Sequence, residues 1–147
     1  MPVFQFQSFN FPDRYIRHKS FEGFLTEQAV GEEGDFSFEV EHVGQDGKGG
    51  PLVALRSVNF PNHFLRHKNF RIVLEAPPGP LDELFLKDAT FHQEGGLADG
   101  SDPGLISFRS SNFPDRYLRH KNFELWLDPK DANLAADATF RTTVPID

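Results

Sequence analysis

An all-β domain made of three copies of one four-stranded unit is the fold this sequence predicts, on three observations. A block appears three times: QSFNFPDRYIRHKSF at 7–21, RSVNFPNHFLRHKNF at 56–70 and RSSNFPDRYLRHKNF at 109–123. A short Asp-x-[Ser/Thr]-Phe segment follows each block, DFSF at 35–38, DATF at 88–91 and DATF at 137–140. No window joins helical apolar spacing to capping signals strongly enough to compete. A self-similar period of about 50 residues marks a repeat architecture, in which each unit buries its apolar face against its neighbours.

The elements follow in order within a unit. Leu105–Ser110 is short, partly alternating and rich in β-formers, a first strand. Asn112-Phe113-Pro114-Asp115 is turn chemistry, because Asn and Asp tolerate turn geometry and Pro fixes φ. Tyr117–His120 reads as a second strand. Phe123–Leu127 alternates apolar and polar as a half-buried third strand should. Asp137–Arg141 reads as the fourth. The same segments recur in the first two copies, with Gly-, Pro- and Asp-rich gaps at 43–51, 76–80 and 95–104. Three units, approximately 1–48, 49–101 and 102–147, are too few for an ordinary propeller. They match a β-trefoil with pseudo-threefold symmetry, a closed six-stranded barrel capped by three hairpins in which closure leaves no exposed sheet edge.

Composition narrows the function. With 147 residues, 38% hydrophobic and 25% charged, the chain has the size and make-up of one globular domain with a real core. Phe, with 17 copies, supplies most of the bulk for that core. A net charge of −7 argues against nucleic acid, whose phosphates reward dense positive charge. The absence of cysteine excludes disulfides, thiolate metal sites and cysteine nucleophiles. No apolar run approaches membrane-spanning length, so no membrane partner is expected. The start, MPVFQFQSF, has neither a basic region nor a long apolar stretch, so no signal peptide is expected in this numbering.

Most repeated residues have an economical structural reading. Phe11, Phe60 and Phe113, Phe21, Phe70 and Phe123, and Phe38, Phe91 and Phe140 are expected in the core, since barrel packing needs apolar residues at threefold-related places, the alternative being that one Phe per unit lines a pocket. Asn10, Asn59 and Asn112 are expected in turns, bonded to nearby backbone. Arg17, Arg66 and Arg119 are expected to tie loops down through carbonyls or carboxylates, in preference to touching a ligand. His18, His67 and His120 stand out, each with an Asp downstream: Asp35, Asp88 and Asp137. A ring nitrogen and two carboxylate oxygens offer the mixture of donor and acceptor that neighbouring sugar hydroxyls want. An Asp that merely orients a structural His fits the residues equally well. Catalysis is not expected: glycoside hydrolysis uses two carboxylates about one bond, each unit repeats one, and no G-x-S-x-G is present. No metal site or cofactor is expected, because paired ligands on one element are absent.

The block NFPDRYLRHKNFELWL followed by DATF resembles the arabinofuranose-binding β-trefoil domain of α-L-arabinofuranosidases, the family 42 carbohydrate-binding modules. The resemblance covers nearly the whole chain. It implies up to three pockets, each taking a terminal arabinofuranose side chain of arabinoxylan or arabinan, on a non-catalytic module attached to a hydrolase. It places ligand contacts on His18 with Asp35, His67 with Asp88 and His120 with Asp137. Secondary contacts fall on Lys19 and Ser20, Lys68 and Asn69, and Lys121 and Asn122. The partner implied is an arabinose-decorated plant polysaccharide, bound by a monomer, outside the cell where the parent hydrolase is secreted. Members often carry an aromatic after the His, where this chain has Lys in all three copies. Ser20, an added Gly23 and Phe36 make the first unit irregular, so its pocket is expected to differ. A protein-binding β-trefoil, actin-bundling or cytokine-like, is the alternative of another class.

Overall fold

The computed structural model describes residues 2–45, 47, 50–79, 82–131 and 133–144. Among these, twelve strands form one continuous sheet: β1 Val3–Ser8, β2 Tyr15–Lys19, β3 Glu22–Thr26, β4 Phe38–Gln45, β5 Pro51–Ser57, β6 Phe64–Lys68, β7 Arg71–Glu75, β8 Phe91–Gly95, β9 Leu105–Ser110, β10 Arg116–Lys121, β11 Glu124–Pro129 and β12 Phe140–Thr143. The strand pairings are antiparallel, and they close on themselves. β1 pairs with β4 and β12, β5 with β4 and β8, and β9 with β8 and β12. The hairpins β2–β3, β6–β7 and β10–β11 pair with one another through β3–β7, β7–β11 and β11–β3. The fold is therefore an all-β closed barrel, as the sequence predicts.

Strand alternation drives the barrel shut. Phe6, Phe38, Leu55, Phe91, Phe108 and Phe140 are fully buried and share one core with the apolar residues of the hairpins. Each such side chain gives about 1.5–3 kcal/mol on leaving water. Phe6 and Phe108 meet edge to face at 5.4 Å, and Phe91 approaches Phe108 at 6.1 Å. Phe38, Phe91 and Phe140 are core residues, as expected.

Two expectations fail. The Asp-x-[Ser/Thr]-Phe segments are not strands from their first residue. Asp35 lies in a 3₁₀ turn (Glu33–Phe36), Asp88 ends helix α1 (Glu83–Asp88), and Asp137 ends helix α2 (Leu134–Asp137). These turns are too short to show a helical period. One local signal was available: the Asp82 carboxylate accepts the Phe85 N–H at 2.7 Å and caps α1. Gly23 is also not an addition. It pairs with His18 as Ile72 pairs with His67 and Leu125 with His120, where the three hairpins converge.

Gly23 is required by that convergence. A Cβ there would lie 2.9 Å from Leu125 Cδ1 and 3.2 Å from the Ile72 carbonyl oxygen, against a leucine that is fully buried. Gly23→Ala is expected to lower stability by about 1–3 kcal/mol, seen as a reduced urea midpoint with an unchanged m-value.

Candidate functional site

Each hairpin turns in two residues, and both adopt the left-handed conformation. The φ values are 52° and 63° at Ser20 and Phe21, 52° and 62° at Asn69 and Phe70, and 54° and 61° at Asn122 and Phe123. Lys19 pairs with Glu22, Lys68 with Arg71 and Lys121 with Glu124, so the turn is of the tight hairpin kind that favours Asn-Gly. A phenylalanine in the second place opposes its own backbone preference by about 1–2 kcal/mol. Five of the six Phe residues of the repeated blocks are not core, contrary to expectation. Phe21 is 50% exposed, and Phe11, Phe60, Phe113 and Phe123 are also exposed, while Phe70 is half-buried against the core. They pair edge to face, Phe21 on Phe60, Phe70 on Phe113 and Phe123 on Phe11, with ring centres 5.4 Å apart in each case.

Each Asn-Phe-Pro segment is a turn, closed by bonds such as His63 N–H to the Phe60 carbonyl at 2.8 Å. Its position puts the Asn at the polar group of the preceding repeat. Asn59 Nδ2 donates to Asp35 Oδ1, Asn112 Nδ2 to Asp88 Oδ1 and Asn10 Nδ2 to Asp137 Oδ1, each at 2.8 Å. A carboxylate only accepts, so the amide nitrogen must face it and the amide oxygen must face the imidazole. That oxygen lies 2.8 Å from His18 Nε2, 2.9 Å from His67 Nε2 and 2.8 Å from His120 Nε2. The histidines therefore carry a proton on Nε2. Ser57, Ser110 and Ser8 donate to the same Asn oxygens and accept the N–H of Phe60, Phe113 and Phe11.

The expected His–Asp partners do come together: Nε2 to Oδ1 is 3.6 Å for His18 and Asp35, 3.3 Å for His67 and Asp88, and 3.5 Å for His120 and Asp137. The second carboxylate oxygen is held by arginine, Arg17 on Asp35 at 2.7 Å, Arg66 on Asp88 and Arg119 on Asp137. Each Arg Nε also donates to the next carbonyl, that of His18, His67 or His120. This is the tying role expected of them. Phe60, Phe113 and Phe11 stand edge-on to the three imidazoles at 5.3 to 5.4 Å. The first site also needs Gly34, where a Cβ would lie 2.9 Å from Asn59 Cβ.

These groups line two concavities. One of about 170 Å³ is bounded by His18, Asp35, Lys19, Ser20, Phe21 and Phe60. Another of about 370 Å³ is bounded by His67, Asp88, Lys68, Asn69, Phe70 and Phe113. Lys121 and Asn122 occupy the corresponding hairpin of the third site. Lys68 donates to Glu75 at 3.2 Å and Lys121 to Asp128 at 3.3 Å. Sequence reasoning missed the role of Asn10, Asn59 and Asn112 and of the serines. Their identity in all three copies was the available signal, but the reach into the preceding repeat was not readable along the chain.

A closed all-β barrel carrying three like-built polar sites defines a repeat-built module. The family model of the alpha-L-arabinofuranosidase B (ABFB) domain matches residues 4–142, and the chain belongs to that family. The family 42 carbohydrate-binding module assignment fits this match. The chain is similar to an arabinofuranosidase of glycoside hydrolase family 54 soaked with a cyclic sulfate inhibitor (TM-score 0.82, 22% identity, 98% of this chain and 31% of that one). It is also similar to an arabinofuranosidase complexed with arabinofuranosyl-α-1,2-xylobiose (0.81, 23% identity, 98% and 31%). A third similar structure is the BEL β-trefoil (0.67, 16% identity, 97% and 92%). The chain thus spans about a third of those arabinofuranosidase chains. No individually curated protein matches it.

Burial pushes the His120 imidazole below its ordinary range, outweighing the Asp137 carboxylate, which acts the other way, while Arg119 adds to the fall. A proton then binds the unfolded chain more readily than the folded one. Stability is full above the ordinary imidazole range, near pH 6.5, and is lost as pH falls below it. In urea titrations at pH 7 and below, His120→Gln is expected to flatten that loss relative to the parent chain. A second expectation follows from the turns. Phe21→Gly should change stability by no more than about 1 kcal/mol, because relief of backbone strain offsets the lost ring contact. A core Phe would lose about 3–5 kcal/mol on truncation to Ala.

Proposed function

We propose that this chain is a non-catalytic carbohydrate-binding module of β-trefoil fold, a single domain of three units. Up to three pockets each take a terminal arabinofuranose side chain of arabinoxylan or arabinan. The observation that carries this reading is the threefold His–Asn–Asp–Arg group beside a Phe pair. The two closed circuits of strands and the likeness to the BEL β-trefoil support the trefoil assignment. Membership of a domain family named for an arabinofuranosidase supports a carbohydrate-binding role. The similar arabinofuranosidase complexed with arabinofuranosyl-α-1,2-xylobiose supports an arabinose-bearing partner.

In this reading the carboxylates of Asp35, Asp88 and Asp137 accept sugar hydroxyls with lone pairs left over from Asn and Arg. Asn and Arg hold each carboxylate in one orientation, so little order must be imposed when the sugar arrives. His18, His67 and His120 close the floor, and the Phe pairs supply the apolar wall. Lys19 and Ser20, Lys68 and Asn69, and Lys121 and Asn122 stand at the rim. A monosaccharide buries little area, so single-pocket affinity is expected on the order of 1 mM. Three pockets on one rigid monomer retain a branched polymer by avidity. Attached to a secreted hydrolase, such a module acts outside the cell.

Affinity electrophoresis tests the reading. Retardation is expected in gels holding arabinoxylan and not in gels holding unsubstituted xylan. It should fall sharply in an Asp88→Ala, Asp137→Ala double variant whose far-UV circular dichroism is unchanged. Equal mobility in both gels would favour a protein-binding role, and intact retardation of the double variant would displace the site.

A further inference from the structure

The three sites differ at the rim, and the difference starts in the hairpins. Glu75 faces Phe64 across β6–β7 and Asp128 faces Tyr117 across β10–β11, but Thr26 holds that place opposite Tyr15. Arg66 takes Glu75 as its second carboxylate at 3.3 Å, and Arg119 takes Asp128 at 3.4 Å. Arg17, with Thr26 in that place, takes Glu32 at 3.0 Å. Glu32 thereby lines the first concavity on the side of the 3₁₀ turn. In the second site the corresponding wall is α1, and there Leu84 lines the concavity together with Phe70 and Phe113. The third copy has Asn133 where the second has Leu84, counting back from Asp137 and Asp88.

Leu84 is 66% exposed. Single exposed leucines are ordinary on protein surfaces. Leu84 differs in lining the same hollow as His67 and Asp88, about 370 Å³ in volume against about 170 Å³ for the first site. The Asp88 side chain is 8% exposed, against 22% and 21% for Asp35 and Asp137, so the second carboxylate sits deeper. A deep polar floor suits the sugar. The wide apolar mouth is larger than a bare furanose needs, and it presents three apolar side chains to whatever the sugar carries.

We propose that the second pocket takes an arabinofuranose bearing an aromatic substituent, with Leu84 as the residue that sets this preference. The inference rests on the sugar-binding reading above. The substituent lies against Leu84 and the Phe70–Phe113 pair, and the sugar reaches the Asp88 carboxylate. The first pocket, with the Glu32 carboxylate at its mouth, and the third, with Asn133, take the unsubstituted sugar.

Amide NMR of the full chain tests this, because the Phe60, Phe113 and Phe11 amides report the first, second and third pockets separately. The probes are methyl and phenyl α-L-arabinofuranoside. At Phe113 the phenyl glycoside is expected to bind about fivefold more tightly than the methyl glycoside, from the added apolar contact. At Phe60 and Phe11 the two should bind alike. Leu84→Asn, which installs the third copy's residue at an exposed place, should abolish the preference at Phe113. Methyl glycoside binding at Phe113 with no phenyl preference, or a preference unchanged in Leu84→Asn, would overturn this inference alone. Absence of shifts with both probes at all three amides would overturn it together with the sugar-binding reading.

Discussion

The carboxamide of one asparagine per repeat is the point on which each site turns. Its nitrogen serves a carboxylate and its oxygen serves an imidazole, and both belong to the preceding repeat. Asn59 serves the first site, Asn112 the second and Asn10 the third, so the contacts run once around the barrel and return. No single repeat contains a whole site. Closure of the strands is therefore a condition of the polar chemistry as well as of the core. The hydrogen bonds to the carboxylates are each of the charge-assisted kind, worth about 1.5–3 kcal/mol when made and costly when one partner is removed. A serine locks the same asparagine from behind, and a backbone N–H locks the serine. That chain of bonds leaves each His and Asp little freedom of orientation.

Symmetry holds at the floor of the sites and relaxes at their edges. His, Asp, Asn, Arg and Ser keep the same partners three times. The second carboxylate for the arginine does not, because Thr26 replaces Glu75 and Asp128. A buried or half-buried guanidinium needs its charge answered, so the first repeat recruits Glu32 from the segment before Asp35. The same relaxation appears over the turn phenylalanines. Arg14 lies 3.8 Å above the Phe123 ring and Arg116 lies 3.7 Å above Phe70, whereas His63 stacks on Phe21 at 5.7 Å. A cation over an aromatic face contributes about 0.5–1 kcal/mol at an exposed place. The single replacement of this Arg by His63 in the second copy thus alters the cover of the ring that borders the first site without disturbing the hydrogen bonds beneath it.

How much of this was legible in the sequence depended on whether the cause was local. The twelve strands were legible because repetition and alternation are written along the chain. The His–Asp partnership was legible because both residues recur in step. The asparagines were read as turn residues, which they are, but their side chains act across a repeat boundary that has no sequence signature. The phenylalanines of the repeated blocks were assigned to the core on apolarity and threefold repetition. Burial follows from backbone direction, and a hairpin with two left-handed residues turns Phe21 and Phe123 outward. Asp35, Asp88 and Asp137 were placed on strands because helical turns of four to six residues are shorter than the period that would reveal them.

The turns also weigh the binding reading against a purely structural one. A barrel that needed only to close would carry Asn-Gly at each hairpin tip, the pair best suited to that backbone. This chain carries Ser-Phe or Asn-Phe three times. Each left-handed Phe opposes folding by about 1–2 kcal/mol. An edge-to-face ring contact returns about 0.5–1.5 kcal/mol, and a covering guanidinium somewhat less. The balance at the Phe21 and Phe123 turns is near zero, so stability gives no reason to hold an exposed ring there. Domain stability as a whole is only about 5–15 kcal/mol, which makes such neutral arrangements a poor device for strengthening a fold. What the rings do share is position. Each packs on a second Phe that stands edge-on to a site imidazole, so the pair forms an apolar wall beside a polar floor. That pairing is what the faces of a sugar ring require, and it supplies a reason for the phenylalanines that packing does not.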